Sequence, residues 1–247
     1  MPQITLVIIY FTIGAFAGFM SGMFGIGGGT VRIPLLNLAG MPLLSAFGIN
    51  FLVIPFSSLI GAISHRKNIA KEIVIYAIVG GVLGEIIGAI SVGVIPTLIL
   101  AITFVILCFI VAFGIHLSKI VPNLAQKVKP SKRNIFGSSF CVSLITGLRG
   151  GSGGQVFPAL FKSFGLDTHQ AIATSLTVSI FTAFGAIPIY WHRGNIVWIP
   201  ALFVLIGSMI GTRIGSKVSL KTKPLWLEIG LTILILVLAF SVIYKAL

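Results

Sequence analysis

The sequence predicts an all-α polytopic membrane protein built from two similar halves, and three observations lead there. Hydrophobic residues make up 57% of the 247 and charged residues only 9%, with a mean hydropathy of +1.13 that a water-soluble domain does not carry. Apolar stretches recur at close to the roughly 20 residues a helix needs to cross hydrocarbon. An ordered series of matches then relates the first half to the second.

Residues 4–22 come first. They superficially resemble a signal peptide, with Ala15-Phe16-Ala17 before Gly18, but no Lys or Arg precedes the apolar run, so the segment reads as retained structure long enough to span. A glycine run follows, and residues 30–40 form a short apolar arm. Residues 43–64, 71–92 and 97–117 are secure spans. Residues 119–133 form a polar linker with Lys119, Lys127, Lys129, Lys132, Arg133, Pro122 and Pro130. After it, 134–148 and 154–164 are each too short to span and are joined by Gly150-Gly151-Ser152-Gly153-Gly154. Residues 168–190, 196–216 and 225–246 complete the set of six secure spans.

The repeat is read from register. Residues 25–34 set beside 149–158 align Gly27 with Gly151, Gly29 with Gly153 and Pro34 with Pro158. The series continues with Ala46 against Ala171, Asn50 against Ser175 and His65-Arg66 against His192-Arg193. Gly80, Gly84 and Gly88 then match Gly207, Gly211 and Gly215. The chain is thus expected to be one membrane domain, 1–247, with repeat 1 at 1–118, the basic linker at 119–133 and repeat 2 at 134–247.

Two short arms around a glycine turn fit a re-entrant hairpin, which enters to mid-depth and returns to the same side where protein or water surrounds it. One hairpin plus three spans is an odd number per repeat, so the second repeat is expected to be inverted. Inversion puts Arg66, Lys67, Lys71, the five linker cations, Lys162, Lys217, Lys221 and Lys223 on one face and only Arg193 and Lys245 on the other. The positive-inside rule then makes the linker cytoplasmic. The alternative is eight simple spans, which blurs that asymmetry.

The formal net charge of +13 would suggest nucleic acid in a soluble protein, but these cations sit between apolar segments and read as topology signals. Cys108 and Cys141 lie inside apolar segments without metal or disulfide spacing and read as small hydrophobes.

Inverted repeats bring the two glycine turns near mid-membrane, where each return arm opens with free N–H groups and the positive end of a helix dipole. That is an anion site. Glycine permits positive φ and close approach of a ligand, and Pro34 and Pro158 are expected in the first turn of each arm, where a missing N–H costs least. Candidate substrate-binding residues are Gly27, Gly28, Gly29, Thr30, Arg32, Asn50, Arg149, Gly151, Ser152, Gly153, Gly154, Gln155 and Ser175. Arg32 and Arg149 add fixed charge with a fork of donors, against the plainer reading that the glycines pack helices and the Arg residues snorkel. Ser175, Ser179 and Thr182 share one helix face, which suits a pathway or interhelical hydrogen bonds. Glu85, an intramembrane acid, is the candidate for proton coupling, with a salt bridge to an Arg as its other reading. His65 and His192 are expected at the interface. The glycine ridges at 80–88 and 207–215 read as helix packing.

No Lys-Ser or Lys-Thr follows the glycines at 25–30, so they are not a phosphate-binding loop. No catalytic residues, cofactor or metal ligands are expected. Asp167, beside Thr168 near a predicted helix start, reads as an amino-terminal cap, and Glu228 near the start of the last span has a similar dipole-compatible reading.

The Gly-Gly-Gly-x-x-x-x-Pro run at 27–34, its looser echo at 151–158, and the Ala46–Asn50 and Ala171–Ser175 segments resemble the TauE/SafE family of sulfite exporters. The resemblance covers nearly the whole chain. It implies a prokaryotic plasma-membrane transporter that exports a small sulfur-containing anion such as sulfite or an organosulfonate. The second motif departs from the first, with Ser152 interrupting it and Arg149 in front. An anion channel and a carrier of a different small organic anion are the alternatives, with an intramembrane enzyme as the competitor from another class. The partners expected are the bilayer, a small anion, protons for coupling and a second copy in a candidate homodimer, with no nucleic acid.

Overall fold

The computed structural model describes residues 3–92, 131–154 and 156–230, with isolated positions at 96, 99, 102, 106, 232, 233 and 237. The expected spans at 97–117 and 225–246 therefore fall wholly or largely outside the described residues, as do Gln155, Cys108, Lys245 and most of the linker. The described elements are α-helices α1 (Gln3–Phe24), α2 (Gly29–Leu38), α3 (Leu43–Ser64), α4 (Lys71–Ile90), α5 (Lys132–Gly147), α6 (Phe157–Ser163), α7 (Thr168–His192) and α8 (Trp198–Lys221), with a 3-10 turn at Arg66–Asn68. Residues 224–230 are also helical, and no strand occurs among the described residues.

Five of these helices are long and apolar enough to cross a membrane: Ile4–Phe24, Leu43–Ser64, Lys71–Ile90, Thr168–His192 and Trp198–Lys221. Their ends follow local chemistry. Asp167 caps α7 by accepting from Gln170 N at 2.9 Å while Gln170 Oε1 accepts from Asp167 N, which closes a capping box. Ser131 Oγ accepts from Asn134 N at the start of α5. The short α2 and α6 both end in a glycine at φ +90, Gly40 and Gly165. There Met41 N donates back to Leu36 O and Leu166 N to Phe161 O, a Schellman closure in each case.

Glycine ridges set the packing. A Cβ at Gly14, Gly18 or Gly22 of α1 would lie 2.2 to 2.3 Å from the carbonyl oxygens of Val204, Ser208 and Thr212 of α8. Gly207, Gly211 and Gly215 press back on Phe11, Ala15 and Phe19. The two helices therefore run parallel in backbone contact, and only glycine fits. The same holds where Gly80, Gly84 and Gly88 of α4 meet Phe136, Phe140 and Leu144 of α5. The packing role expected of these ridges matches this geometry.

Between the two pairs, α3 and α7 run antiparallel: Gly48 meets Asn195, Phe51 stacks on Tyr190 at 5.0 Å, Phe56 meets Phe184 and Gly61 meets Leu176. Thus α1 packs along a helix from the far half of the chain.

Three expectations need correction. Pro34 is the sixth residue of α2, not in its first turn, because that helix already begins at Gly29; only Pro158 sits at a helix start. His65 is 1% exposed, because the end of α3 tucks against Gly22 and His169 while Arg66 and Lys67 face outward. Glu228, read as a dipole partner, instead forms an ion pair with Lys162 and accepts from Thr168 Oγ1 at 3.0 Å.

Candidate functional site

The two glycine turns touch each other. The first, between α1 and α2, has Gly25, Gly27 and Gly28 at φ +73, +71 and +76; the second, between α5 and α6, has Gly150 and Gly153 at +72 and +68. These left-handed conformations favour glycine, and they let the chain reverse within a few residues. A Cβ on Gly154 would lie 3.2 Å from Gly27 N and Cα and 2.6 Å from Ser179 Oγ, so main chain meets main chain.

Side chains from α3 and α7 hold the turns, and Asn50 and Ser175 each reach the turn of the opposite half. Asn50 Nδ2 donates to Gly150 O at 2.7 Å. Ser175 Oγ donates to Gly25 O at 2.7 Å and lies 3.3 Å from Gly154 O. Thr182 Oγ1 donates to Ser152 O at 3.1 Å. Gly151 N donates to Thr146 O, so Gly151 is spent on closing its own turn.

Arg32 is the largest fully buried side chain among the described residues. Its Nη1 donates to Asn50 Oδ1 at 2.5 Å and its Nη2 to Ser208 Oγ at 2.7 Å, while Nε has no partner among the described residues. Both partners are neutral, and the ion pair found among the described residues is Lys162 with Glu228, elsewhere in the fold. The guanidinium also folds back over the start of its own helix: a Cβ on Gly28 would lie 2.9 Å from Nη2. Gly28 is the left-handed N-cap of α2 and supplies no side-chain cap. The first N–H groups of a helix have no intrahelical acceptor, so Gly29 and Thr30 present donors beside the buried cation.

Hydroxyl groups without partners line this junction. Ser152 Oγ, 3.2 Å from the Cβ position of Gly27, makes no hydrogen bond among the described residues, and neither do Ser179 Oγ, Ser21 Oγ or Thr30 Oγ1. Buried polar groups are normally satisfied. A guanidinium, a helix start and several free hydroxyls at one point make a place where an oxyanion restores charge balance and hydrogen bonds together.

The remaining expected residues are more dispersed. Arg149 is half-buried at the end of α5, its N–H donating to Thr146 O. Gly29 presses on the Asn50 amide, and Gly153 on Ser143 and Phe157. Glu85 is fully buried with neither carboxylate oxygen partnered among the described residues, against Gly147, and makes no salt bridge there. No group of His, Cys, Asp and Glu among the described residues is placed to hold a metal. Ser208 and Ser21 were not candidates from sequence: both lie among small residues of the α1–α8 ridge, and a serine there looks like packing.

Comparison with known proteins adds further observations. A family model described as "Sulfite exporter TauE/SafE" matches residues 10–242. The chain is 25% identical to "Probable membrane transporter protein ORF9" of Sinorhizobium sp, covering 95% of this chain and 93% of that one. It is 23% identical to "Probable membrane transporter protein YfcA" of Escherichia coli K12, over 96% and 90% of the two chains. It is also 26% identical to "Probable membrane transporter protein YdhB" of Bacillus subtilis, over 86% and 88%. No solved structure matches.

Proposed function

Since the chain belongs to the TauE/SafE family of membrane transporters, we propose that it is a secondary transporter exporting a small sulfur-containing anion, sulfite or an organosulfonate, held where the two glycine turns meet. The observation that carries this is Arg32: a fully buried guanidinium with neutral partners, at the positive end of α2. A buried charge normally requires a counter-charge, and a transported anion supplies one transiently.

The two halves are read as inverted repeats, each with a re-entrant glycine hairpin. Parallel α1 with α8, parallel α4 with α5, and antiparallel α3 with α7 support this, since inversion requires that reciprocal set. In the positive-φ series one constant spacing pairs Gly25 with Gly150, Gly28 with Gly153 and Gly40 with Gly165, which shifts the glycine turns by one residue from the Gly27–Gly151 and Gly29–Gly153 register read from sequence. Exposed Arg66, Lys67, Lys71, Lys132 and Arg133 gather at the end where α4 and α5 begin, while Arg193 lies at the other. By the positive-inside rule the first end is cytoplasmic, in a prokaryotic plasma membrane. Glu85 is the coupling acid, because a carboxyl buried without a partner is expensive to charge and therefore responds to what binds nearby.

The test is flux in proteoliposomes. Saturable exchange of sulfite or an organosulfonate, driven by an imposed pH gradient, supports the reading. Conductive, unsaturable flux of many anions would make the protein a channel, and absence of flux would remove sulfur anions as the substrate class.

A further inference from the structure

Arg32 and Phe157 hold equivalent places in the two halves of the chain. Each lies four residues beyond a left-handed glycine, Gly28 at φ +76 and Gly153 at φ +68, and each backbone N–H donates to that glycine's carbonyl, at 2.9 and 3.0 Å. Each side chain is fully buried and folds back over the start of its own helix. A Cβ on Gly28 would lie 2.9 Å from Arg32 Nη2, and one on Gly153 would lie 2.8 Å from the Phe157 ring. The helix behind each differs in the same sense. Ser208 of α8 accepts from Arg32 Nη2, whereas Gly81 of α4, its counterpart in the register that pairs Gly80 with Gly207, places its Cβ position 3.5 Å from Phe157 Cζ. Phe157 stacks on Phe161 at 5.4 Å. The junction of the two turns thus carries a guanidinium on one side and an aromatic ring in the matching place on the other.

We propose that this site is built for a single negative charge: it takes a monoanionic sulfonate or hydrogensulfite and rejects dianions such as sulfate, with Phe157 the residue that sets the limit. This rests on the anion being held beside Arg32. One guanidinium brings one negative charge to neutrality, and a second negative charge would stay uncompensated in a buried place, which is costly. An arginine at position 157 would have supplied the second cation, and a neutral ring stands there instead. Arg149 does not take that role by the repeat relation. It is half-buried and occupies the place of Phe24, the residue before the first turn, which packs on Gly230. The ionisable side chain one turn beyond Gly81 on α4 is Glu85, an acid, which offsets no second negative charge in either protonation state. The formal net charge of +13 acts in the opposite sense, because general attraction favours the dianion. A preference for the monoanion is therefore the signature of the site itself.

The test titrates purified protein with two matched pairs at constant ionic strength: methanesulfonate against sulfate, and isethionate against sulfoacetate. Within each pair the size is similar and the charge differs by one. Wild type should bind the monoanion at least about tenfold tighter in both pairs, as when one buried charge is left uncompensated. Phe157→Leu, equally uncharged, should keep that preference, while Phe157→Arg should shrink it about tenfold by supplying a second cation. Equal or tighter binding of the dianions by wild type would overturn the single-charge site and leave the sulfur-anion reading standing. Loss of the preference in Phe157→Leu, or an unchanged preference in folded Phe157→Arg, would overturn the role given to Phe157. Where Phe157→Arg fails to fold, the wild-type pairs and Phe157→Leu decide. No binding of any of the four by wild type, or monoanion binding that survives in Arg32→Gln, would remove the reading on which the proposal rests.

Discussion

Arg32 and Asn50 share one hydrogen bond that joins the two glycine turns: Arg32 Nη1 donates to Asn50 Oδ1, and the same amide donates from Nδ2 to Gly150 O. The charge of the first turn is thus positioned by the side chain that steadies the second. An amide does this without neutralising the guanidinium, which leaves the charge available to a ligand.

Replacing Asn50 with Asp tests that last point. The carboxylate would pair with Arg32 permanently and could not donate to Gly150. Anion affinity is expected to fall at least about tenfold, the size of one lost charge-assisted hydrogen bond, while the protein still folds. Titration of sulfite or sulfoacetate into the purified variant reads it. Unchanged affinity would mean that Arg32 does not face the ligand.

Ser175 mirrors Asn50 across the junction, donating to Gly25 O. Ser175→Ala should cost about 1 kcal/mol of stability. It should also loosen the first turn, seen as faster hydrogen exchange at residues 25–28 than in wild type.

Glycine substitutions should divide by location. Gly154→Ala would put a methyl 2.6 Å from Ser179 Oγ and 3.2 Å from Gly27 main chain. It should abolish transport while the protein is still made. Gly18→Ala, 2.2 Å from Ser208 O, should prevent α1 from packing on α8 and reduce the yield of folded protein. Gly40→Ala meets nothing within 4 Å and should cost only about 1 kcal/mol for the left-handed backbone. Transport assays alongside expression levels separate the three.

The spans were legible because hydrocarbon demands an apolar run of fixed length. Residues 43–64 coincide with α3, and 71–92 overrun α4 by two residues. The 196–216 reading stopped short because α8 continues to Lys221 through Lys217 and Ser219, which an apolar criterion rejects although a helix end can carry exposed Lys. The glycine turns were legible from their run of glycines, and the meeting of those turns is tertiary information. Ser208 was not legible. A serine within a small-residue ridge has no local pattern that distinguishes it from packing.

His65 should make stability depend on pH. Burial, with His169 nearby, pushes its imidazole down to about 4 from an ordinary 6.5. The unfolded chain therefore binds the extra proton first, so the contribution is complete above about 6.5 and is lost as pH falls from there toward 4. Thermal unfolding in detergent across that window should show the decline, and His65→Asn should flatten it.

The most direct test of the central claim is anion binding by purified wild type and Arg32→Gln, with sulfite, sulfate, thiosulfate, sulfoacetate and acetate each titrated by thermal shift. The account predicts that a sulfur oxyanion stabilises wild type selectively and that this stabilisation vanishes in Arg32→Gln. Stabilisation by a sulfur oxyanion that persists in Arg32→Gln would contradict it and move the site away from the glycine turns.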